Sequence, residues 1–263
     1  MSFDKVKTII LKEWAEVFKN RMVFLTTLFM PLLFTALPLV ILYATREAGV
    51  EAMGEIPAQF AEICPERLTG GECFQYYMAS QFLLLFMMLP LIIPINIAAY
   101  SIVGEKTTRS LEPLLATPIS TFELLSAKNL AAAIPAILAT WFGFGLFIIG
   151  AVIITGASQV VSVLLDPLWL IAVLVVGPLL AILAVNFALM VSSKVNDPRV
   201  AEQLSAVVIL PLLVLFFGQI SGFLIINQQL ILILAGILLV IDILMIIVAT
   251  NIFQREAILT RWK

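Results

Sequence analysis

The chain has 263 residues, of which 62% are hydrophobic and 12% charged, and its mean hydropathy is +1.12. A soluble domain of this length has to cover its surface with charge, so these values exclude an ordinary water-soluble fold and point to lipid as the solvent. The net charge of −2 offers no basic excess with which to hold nucleic acid, so none is expected as a partner.

Residues 1–21 carry too much charge to cross a membrane. Phe3, Val6, Ile10, Trp14, Val17 and Phe18 recur at three- and four-residue steps, opposite a face of lysines and acids. That period predicts an amphipathic helix lying in the membrane interface. Two roles stay open for it: anchoring the first span, or touching a partner on the inner side.

A transmembrane helix needs roughly 20 apolar residues. Met22–Thr45, Tyr77–Val103, Asn129–Leu165, Pro167–Ser193 and Gln203–Ile241 contain no Asp, Glu, Lys or Arg, and the last runs on past Asp242 to Gln254. Ser221–Gln229 is polar enough to be a hairpin within that last stretch, whereas Gly156–Asp166 reads as a short surface segment after the third span. The expected fold is therefore all-α and polytopic. Its six-span domain covers 22–263, with spans at about 22–45, 77–103, 129–155, 167–191, 203–225 and 229–251 and an outer loop at 46–76.

Orientation follows from the basic residues. With the N-terminus inside, Lys5, Lys7, Lys12, Lys19, Arg21, Lys106, Arg109, Lys128, Lys194, Arg199, Arg255, Arg261 and Lys263 lie on the inner side. Only Arg46 and Arg67 of the 15 lie outside. This places both termini in the cytoplasm and makes the chain a multi-pass protein of the cell (plasma) membrane. No cleavable signal peptide is evident ahead of the first span.

The outer loop holds the only two cysteines, Cys64 and Cys73, and six glutamates. An oxidising outer face allows a disulfide, the alternative being two separate thiols. The glutamates read as a solvated acidic helix sooner than as a cation-collecting vestibule.

Between the second and third spans, Gly104–Lys128 has unusual punctuation for a loop. Ser110 caps a short helix at Leu111, Glu112 sits near its positive end, and Pro113 occupies its first turn. Thr117-Pro118 stops it. Ser120-Thr121-Phe122-Glu123 then has capping-box spacing and predicts a new helix running into the third span. The result is a short helix, Leu111–Thr117, with Leu111, Leu114 and Leu115 on one side, an apolar face that an ordinary loop does not need. Asp197-Pro198 predicts a similar capped start for the fifth helix.

Prolines fall inside five spans: Pro31 and Pro38, Pro90 and Pro94, Pro135, Pro178, and Pro211. Each frees a backbone carbonyl and tends to bend the helix. The chain has no histidine and no Gly-Lys dipeptide. Imidazole-based catalysis is therefore excluded, and so is a P-loop for ATP within this chain. Asp242 is the one acid deep inside a span. It is read as an interhelical lock or packing group, with a direct substrate role as the alternative and Asn96 and Asn186 as candidate neighbours.

Gly104-Glu105-Lys106, the run from Ser110 to Ser120 (Ser-Leu-Glu-Pro-Leu-Leu-Ala-Thr-Pro-Ile-Ser), and Glu123-Leu124-Leu125 with Lys128 resemble the signature loop of type-2 ABC-transporter exporter permeases. Val191–Lys194, Asp197–Arg199, Ala201–Gln203 and Leu210–Leu212 resemble that family's second inner loop, and Phe253–Lys263 its common C-terminal ending. These stretches come in the family's order and bracket most of the chain. The resemblance implies the membrane half of an ATP-driven exporter, with ATP and magnesium held by a separate cytoplasmic ATPase and no cofactor in this chain. Leu111, Pro113, Leu114, Leu115, Thr117 and Pro118 would form the helix that docks in the ATPase. Glu105 and Glu112 would be polar contacts or caps beside it. Six spans are half a pathway, so a second copy or a homologous permease is implied. The short outer loop and the short hairpin between spans five and six depart from relatives with large outer domains or re-entrant helices, so no substrate is implied. An ATP-independent transporter or channel is the competing reading, disfavoured by the lack of an internal repeat and by the single buried acid. A lipid-modifying enzyme is a third, disfavoured by the missing histidines and acidic cluster.

Overall fold

The computed structural model describes residues 3–48, 70–107, 119–156, 161, 164–224 and 226–252. Among them there is no strand, and six helical stretches are long and apolar enough to cross a membrane. They are Val23–Ala44, Gln75–Glu105, Thr121–Thr155, Pro167–Lys194, Pro198–Ile220 and Gln228–Ile252.

In chain order, α1 (Phe3–Val17) precedes α2 (Arg21–Ala48), the first span. The second span is α3 (Gly70–Phe86) followed by α4 (Leu89–Thr107), and the third is the single helix α5 (Thr121–Thr155). The fourth comprises α6 (Pro167–Ile171), a π-helical turn (Ala172–Val176) and α7 (Gly177–Lys194). The fifth comprises α8 (Pro198–Ser205), a 3-10 turn (Ala206–Ile209) and α9 (Leu210–Ile220), and the sixth is α10 (Gln228–Ile252).

The ends of these helices follow the local chemistry. Ser120 Oγ accepts the Glu123 N–H while Glu123 accepts the Ser120 N–H, a complete capping box. α5 therefore starts at Thr121, well ahead of the apolar stretch that begins at 129. It ends at Gly156, whose φ of 68° is the left-handed conformation that glycine adopts without strain. Asp166 and Asp197 cap α6 and α8 through the N–H groups of Leu168 and Arg199, each with proline in the first turn.

The prolines account for the interruptions. Pro90, Pro178 and Pro211 each stand in the first turn of a helical segment, directly after the turn at Met87–Met88, the π turn and the 3-10 turn respectively. Proline cannot donate to the carbonyl four residues back and its ring crowds that carbonyl, so the ladder is reset just ahead of each. Pro31, Pro38, Pro94 and Pro135 remain inside continuous helices. Pro135 frees the carbonyl of Ala131, and the indole N–H of Trp14 donates to that oxygen at 2.9 Å. In the π turn the Gly177 N–H reaches Ala172, which leaves Val173 opposite the N–H that Pro178 lacks. Trp141 donates to the Val173 carbonyl at 3.2 Å. Two tryptophans thus supply donors that prolines remove.

The second span is the most enclosed and forms the axis of the bundle. α4 packs most extensively on α7, α2 on α5, and α7 on α10. Phe86 stacks on Phe147 and meets Phe144 edge-on, all three deep in the core. Gly143 lets α2 approach α5: a Cβ there would stand 3.3 Å from Pro31 and Thr35, and its carbonyl accepts from Thr35 Oγ1 at 3.2 Å. Spans one, five and six keep broad apolar faces exposed, with Val40, Val214 and Val240 among them, as lipid-facing helices do.

α1 is not confined to a surface. Val6, Ile9, Glu13 and Val17 are its buried stripe, and it packs along α5, where Val6 and Ile9 meet Leu124 and Ala127. The buried face is rotated from the one that the apolar period suggested. Ile9 and an acid replace Phe3 and Ile10 at its centre, and Phe3 is left 78% exposed.

Candidate functional site

The densest polar assembly lies where α1, the end of α4 and the start of α5 meet, at the base of loop 104–128. On α4, Ser101 and Glu105 are one turn apart and share a face. On α1, Lys12 and Glu13 are neighbours, and Glu13 falls on the buried stripe. Lys128 enters from the second turn of α5. Its Nζ lies 2.8 Å from Glu13 Oε1, 2.8 Å from Glu105 Oε2 and 2.8 Å from Ser101 Oγ. Ser101 donates onward to Glu13 Oε2 at 2.6 Å, and Lys12 donates to Glu105 Oε1 at 2.8 Å.

Glu13, Glu105 and Lys128 are each at most 3% exposed. Burying one of these charges alone would be prohibitive. Two carboxylates and two ammonium groups in alternation sum to zero, and the hydroxyl bridges one carboxylate to Lys128. Burial by itself would lower the Lys12 pKa. The hydrogen bond to Glu105 and the charges of Glu105, Glu13 and Glu16 outweigh that and hold it above the ordinary lysine value.

This cluster closes the loop at its base, because Glu105 and Lys128 stand on either side of the residues that connect α4 to α5. The helix suggested by Leu111, Glu112, Pro113, Leu114, Leu115, Thr117 and Pro118 lies outside the described residues. Glu105 is described, and its carboxylate is turned inward to two lysines. It acts as a clamp at the loop's root and not as an outward contact.

A second polar feature stands on the other flank of the same helical turn. Asn129 Nδ2 donates to Asn186 Oδ1 of α7 at 2.8 Å, with both residues buried. Asn186 Nδ2 finds no hydrogen-bond partner among the described residues. Asn96 is elsewhere: its amide donates at 3.1 Å to the carbonyl of Ile92 on its own helix.

Asp242 lies on the buried stripe of α10, with Ile231, Leu238 and Ala249. It is 4% exposed, and neither carboxylate oxygen has a hydrogen-bond partner among the described residues. Further from α1, Gln81 and Gln219 are buried with unmatched amide atoms. Cys73 is buried near the start of α3, and Cys64 lies outside the described residues. No group of three or more metal-ligating side chains occurs among the described residues.

Glu13, Ser101 and Asn129 were not singled out by the sequence as polar contacts, Lys128 entered only through the loop resemblance and the count of basic residues, and Trp14 only as part of an apolar face. One signal existed for Glu13, an acid in register with Val6, Ile9 and Val17. Another existed for Lys128, a cation in a helix flanked by Leu124, Leu125, Ala127 and Ala131.

No curated protein matches the chain. The family described as ABC-2 family transporter protein matches residues 7–256, a range that runs from α1, through the clamp and the six spans, to just beyond α10. The chain therefore belongs to the ABC-2 transporter family, as a multi-pass membrane permease.

Proposed function

We propose that this permease is the membrane subunit of an ATP-driven exporter of the cell (plasma) membrane, forming its path as a dimer with a second copy or a homologous permease. Both termini face the cytoplasm in this reading, and a separate ABC ATPase there binds ATP and magnesium. The segment Leu111–Thr117 seats its leucines in a groove of that ATPase, and loop 104–128 carries the stroke to α4 and α5.

The observation that carries this reading is the buried clamp. A loop that transmits force needs a root that does not yield, and Lys128 joins Glu105 across the two ends of this one while Glu13 binds α1 to the same point. Asp242 serves as a buried packing group of α10 within the permease, since no hydrogen bond ties it to another helix among the described residues. Cys64 and Cys73 are joined on the outer side.

Co-purification tests the coupling. Tagged permease should retain an ATPase with Walker A and signature sequences, and Leu114→Arg should release it and abolish transport while the permease stays folded. Transport that survives Leu114→Arg, or a permease that retains no ATPase, overturns the assignment. For orientation, a cysteine placed at Glu62 in a cysteine-free background should react with an impermeant thiol reagent added outside whole cells. Reaction only after the inner face is opened would reverse the topology.

A further inference from the structure

Where α1 ends, α2 and α5 leave a groove of about 280 Å³ between them. No charged side chain lines it. Its one hydroxyl, on Thr27, already donates to the Val23 carbonyl at 2.7 Å. Pro31 and Ala139 form the floor, while Phe24, Leu28 and Phe142 are at least half exposed along the sides. These walls belong to the first and third spans, so the groove opens sideways to lipid. From Phe24 to Leu32 it follows α2 for about 12 Å. A dry groove of that length, with no polar group left to satisfy, suits part of an acyl chain.

Charge sets this groove apart from other lipid-facing surface. Arg21 precedes Phe24 by three residues and Leu28 by seven, so it stands on the groove's own face of α2, about 4.5 Å further out. Lys19 directly follows Phe18, whose ring meets Phe24 edge-on at 6.4 Å at that end of the groove. Both cations are exposed, and neither forms an ion pair among the described residues. Glu16, the nearest acid in sequence, lies 3.7 Å from Lys12, and Glu13 is buried on Lys128. Two unmatched positive charges therefore stand where an apolar groove meets the membrane surface, a position at which cations attract anionic lipid heads.

We propose that this groove is a lateral binding site for a phospholipid with an anionic head, one acyl chain lying between α2 and α5 and the phosphate held by Lys19 and Arg21. Held in this way, the lipid joins the end of α1 to the first and third spans. Binding does not depend on ATP coupling and is tested without the ATPase. The test uses the full chain in nanodiscs of phosphatidylcholine with a small fraction of phosphatidylglycerol that carries a photoreactive diazirine on its acyl chain. Adducts, mapped by peptide mass spectrometry, should concentrate in 24–32 and 138–142.

Lys19→Gln and Arg21→Gln should each lower that labelling by about fivefold, the effect of one cation beside an anionic head. A phosphatidylcholine probe with the same chain should label the wild type less and should respond to neither variant, which shows that the groove itself stays intact. Lys7→Gln removes an exposed cation about 18 Å away along α1 and should leave the anionic labelling unchanged. Three results would overturn the proposal. One is equal labelling of the wild type by the two probes. Another is a loss with Lys7→Gln as large as with Arg21→Gln, which would make the attraction diffuse. The third is labelling that vanishes when two copies share a nanodisc, which would make the groove an interface between copies.

Discussion

Replacing Lys128 by Met tests the clamp most directly. The substitution keeps most of the side chain's length and apolar volume and removes one positive charge and three polar contacts of 2.8 Å. Breaking a buried ion pair by deleting one partner destabilises by about 3–5 kcal/mol. Here Glu105 keeps Lys12 and Glu13 keeps the Ser101 hydroxyl, so the low end applies, about 3 kcal/mol. Removing the opposite partner should be milder. Glu13→Gln keeps an acceptor for Ser101 and leaves Lys128 on Glu105, for a loss of about 1 kcal/mol. The double variant Glu13→Gln/Lys128→Met restores the balance of charge and should be more stable than Lys128→Met alone by about 1–2 kcal/mol. Thermal unfolding of the purified permease in detergent reads these differences, at about 2–4 °C per kcal/mol for a chain of this size. The reasoning is refuted if Lys128→Met unfolds with the wild type, or if the two substitutions are simply additive.

Other consequences follow from named contacts. Trp14→Phe keeps a six-membered aromatic ring but loses the pyrrole part of the indole and with it the donor to the Ala131 carbonyl, costing about 1–2 kcal/mol. In a Pro135→Ala background, whose restored N–H fills that carbonyl, the same change should cost measurably less, and an equal loss in both backgrounds would dissociate the tryptophan from the proline. Lys12 is about one-third exposed, so Lys12→Met should lose no more than about 1 kcal/mol in the same thermal assay. Its pKa lies above the ordinary 10.5, so its contribution is full below that value and is lost only as pH rises through the higher, folded value. The gap between the Lys12→Met and wild-type unfolding curves should therefore stay constant from neutral pH up to that range. If Cys64 and Cys73 are joined, thiol reagents should label the denatured chain only after reduction, and labelling beforehand would dismiss the disulfide.

The spans were legible because their cause is local. Roughly 20 apolar residues have to cross the hydrocarbon, and charge marks where they stop. The caps at Ser120 and Asp197 were legible for the same reason, since a cap is satisfied within three residues of its own chain. The clamp was not. Glu13 and Lys128 are 115 residues apart, and nothing in either neighbourhood names the other. The sequence also hid the rotation of α1. Its apolar period marks Ile10 and Trp14 as inward, and both do touch the bundle, but the stripe is centred on Ile9 and Glu13, whose partners lie on other spans. Asn186 was visible as a polar residue within a span, but its partner Asn129 sat at the edge of a stretch judged by length alone.

The pairings that escaped notice converge on one turn of α5. Successive helical residues point about 100° apart, and from 128 to 131 this turn reaches three neighbours in succession. Lys128 takes Glu13 of α1 with Ser101 and Glu105 of α4, Asn129 takes Asn186 of α7, and the Ala131 carbonyl receives Trp14 of α1. None of these bonds exchanges cheaply with water, because the groups that make them are buried or face the membrane interior. The start of α5 therefore cannot slide against α1, α4 or α7 without leaving a charge or an amide unmatched. In the exporter proposed above, a push arriving through loop 104–128 would move these four helices as one block instead of being absorbed by bending at the loop's root. The cleft between α5, α7 and α10 belongs to that block on one side only, since its remaining wall is α10, which contributes Ile246 and Ala249. Relative motion between the block and α10 would thus open or narrow the cleft while leaving the clamp intact.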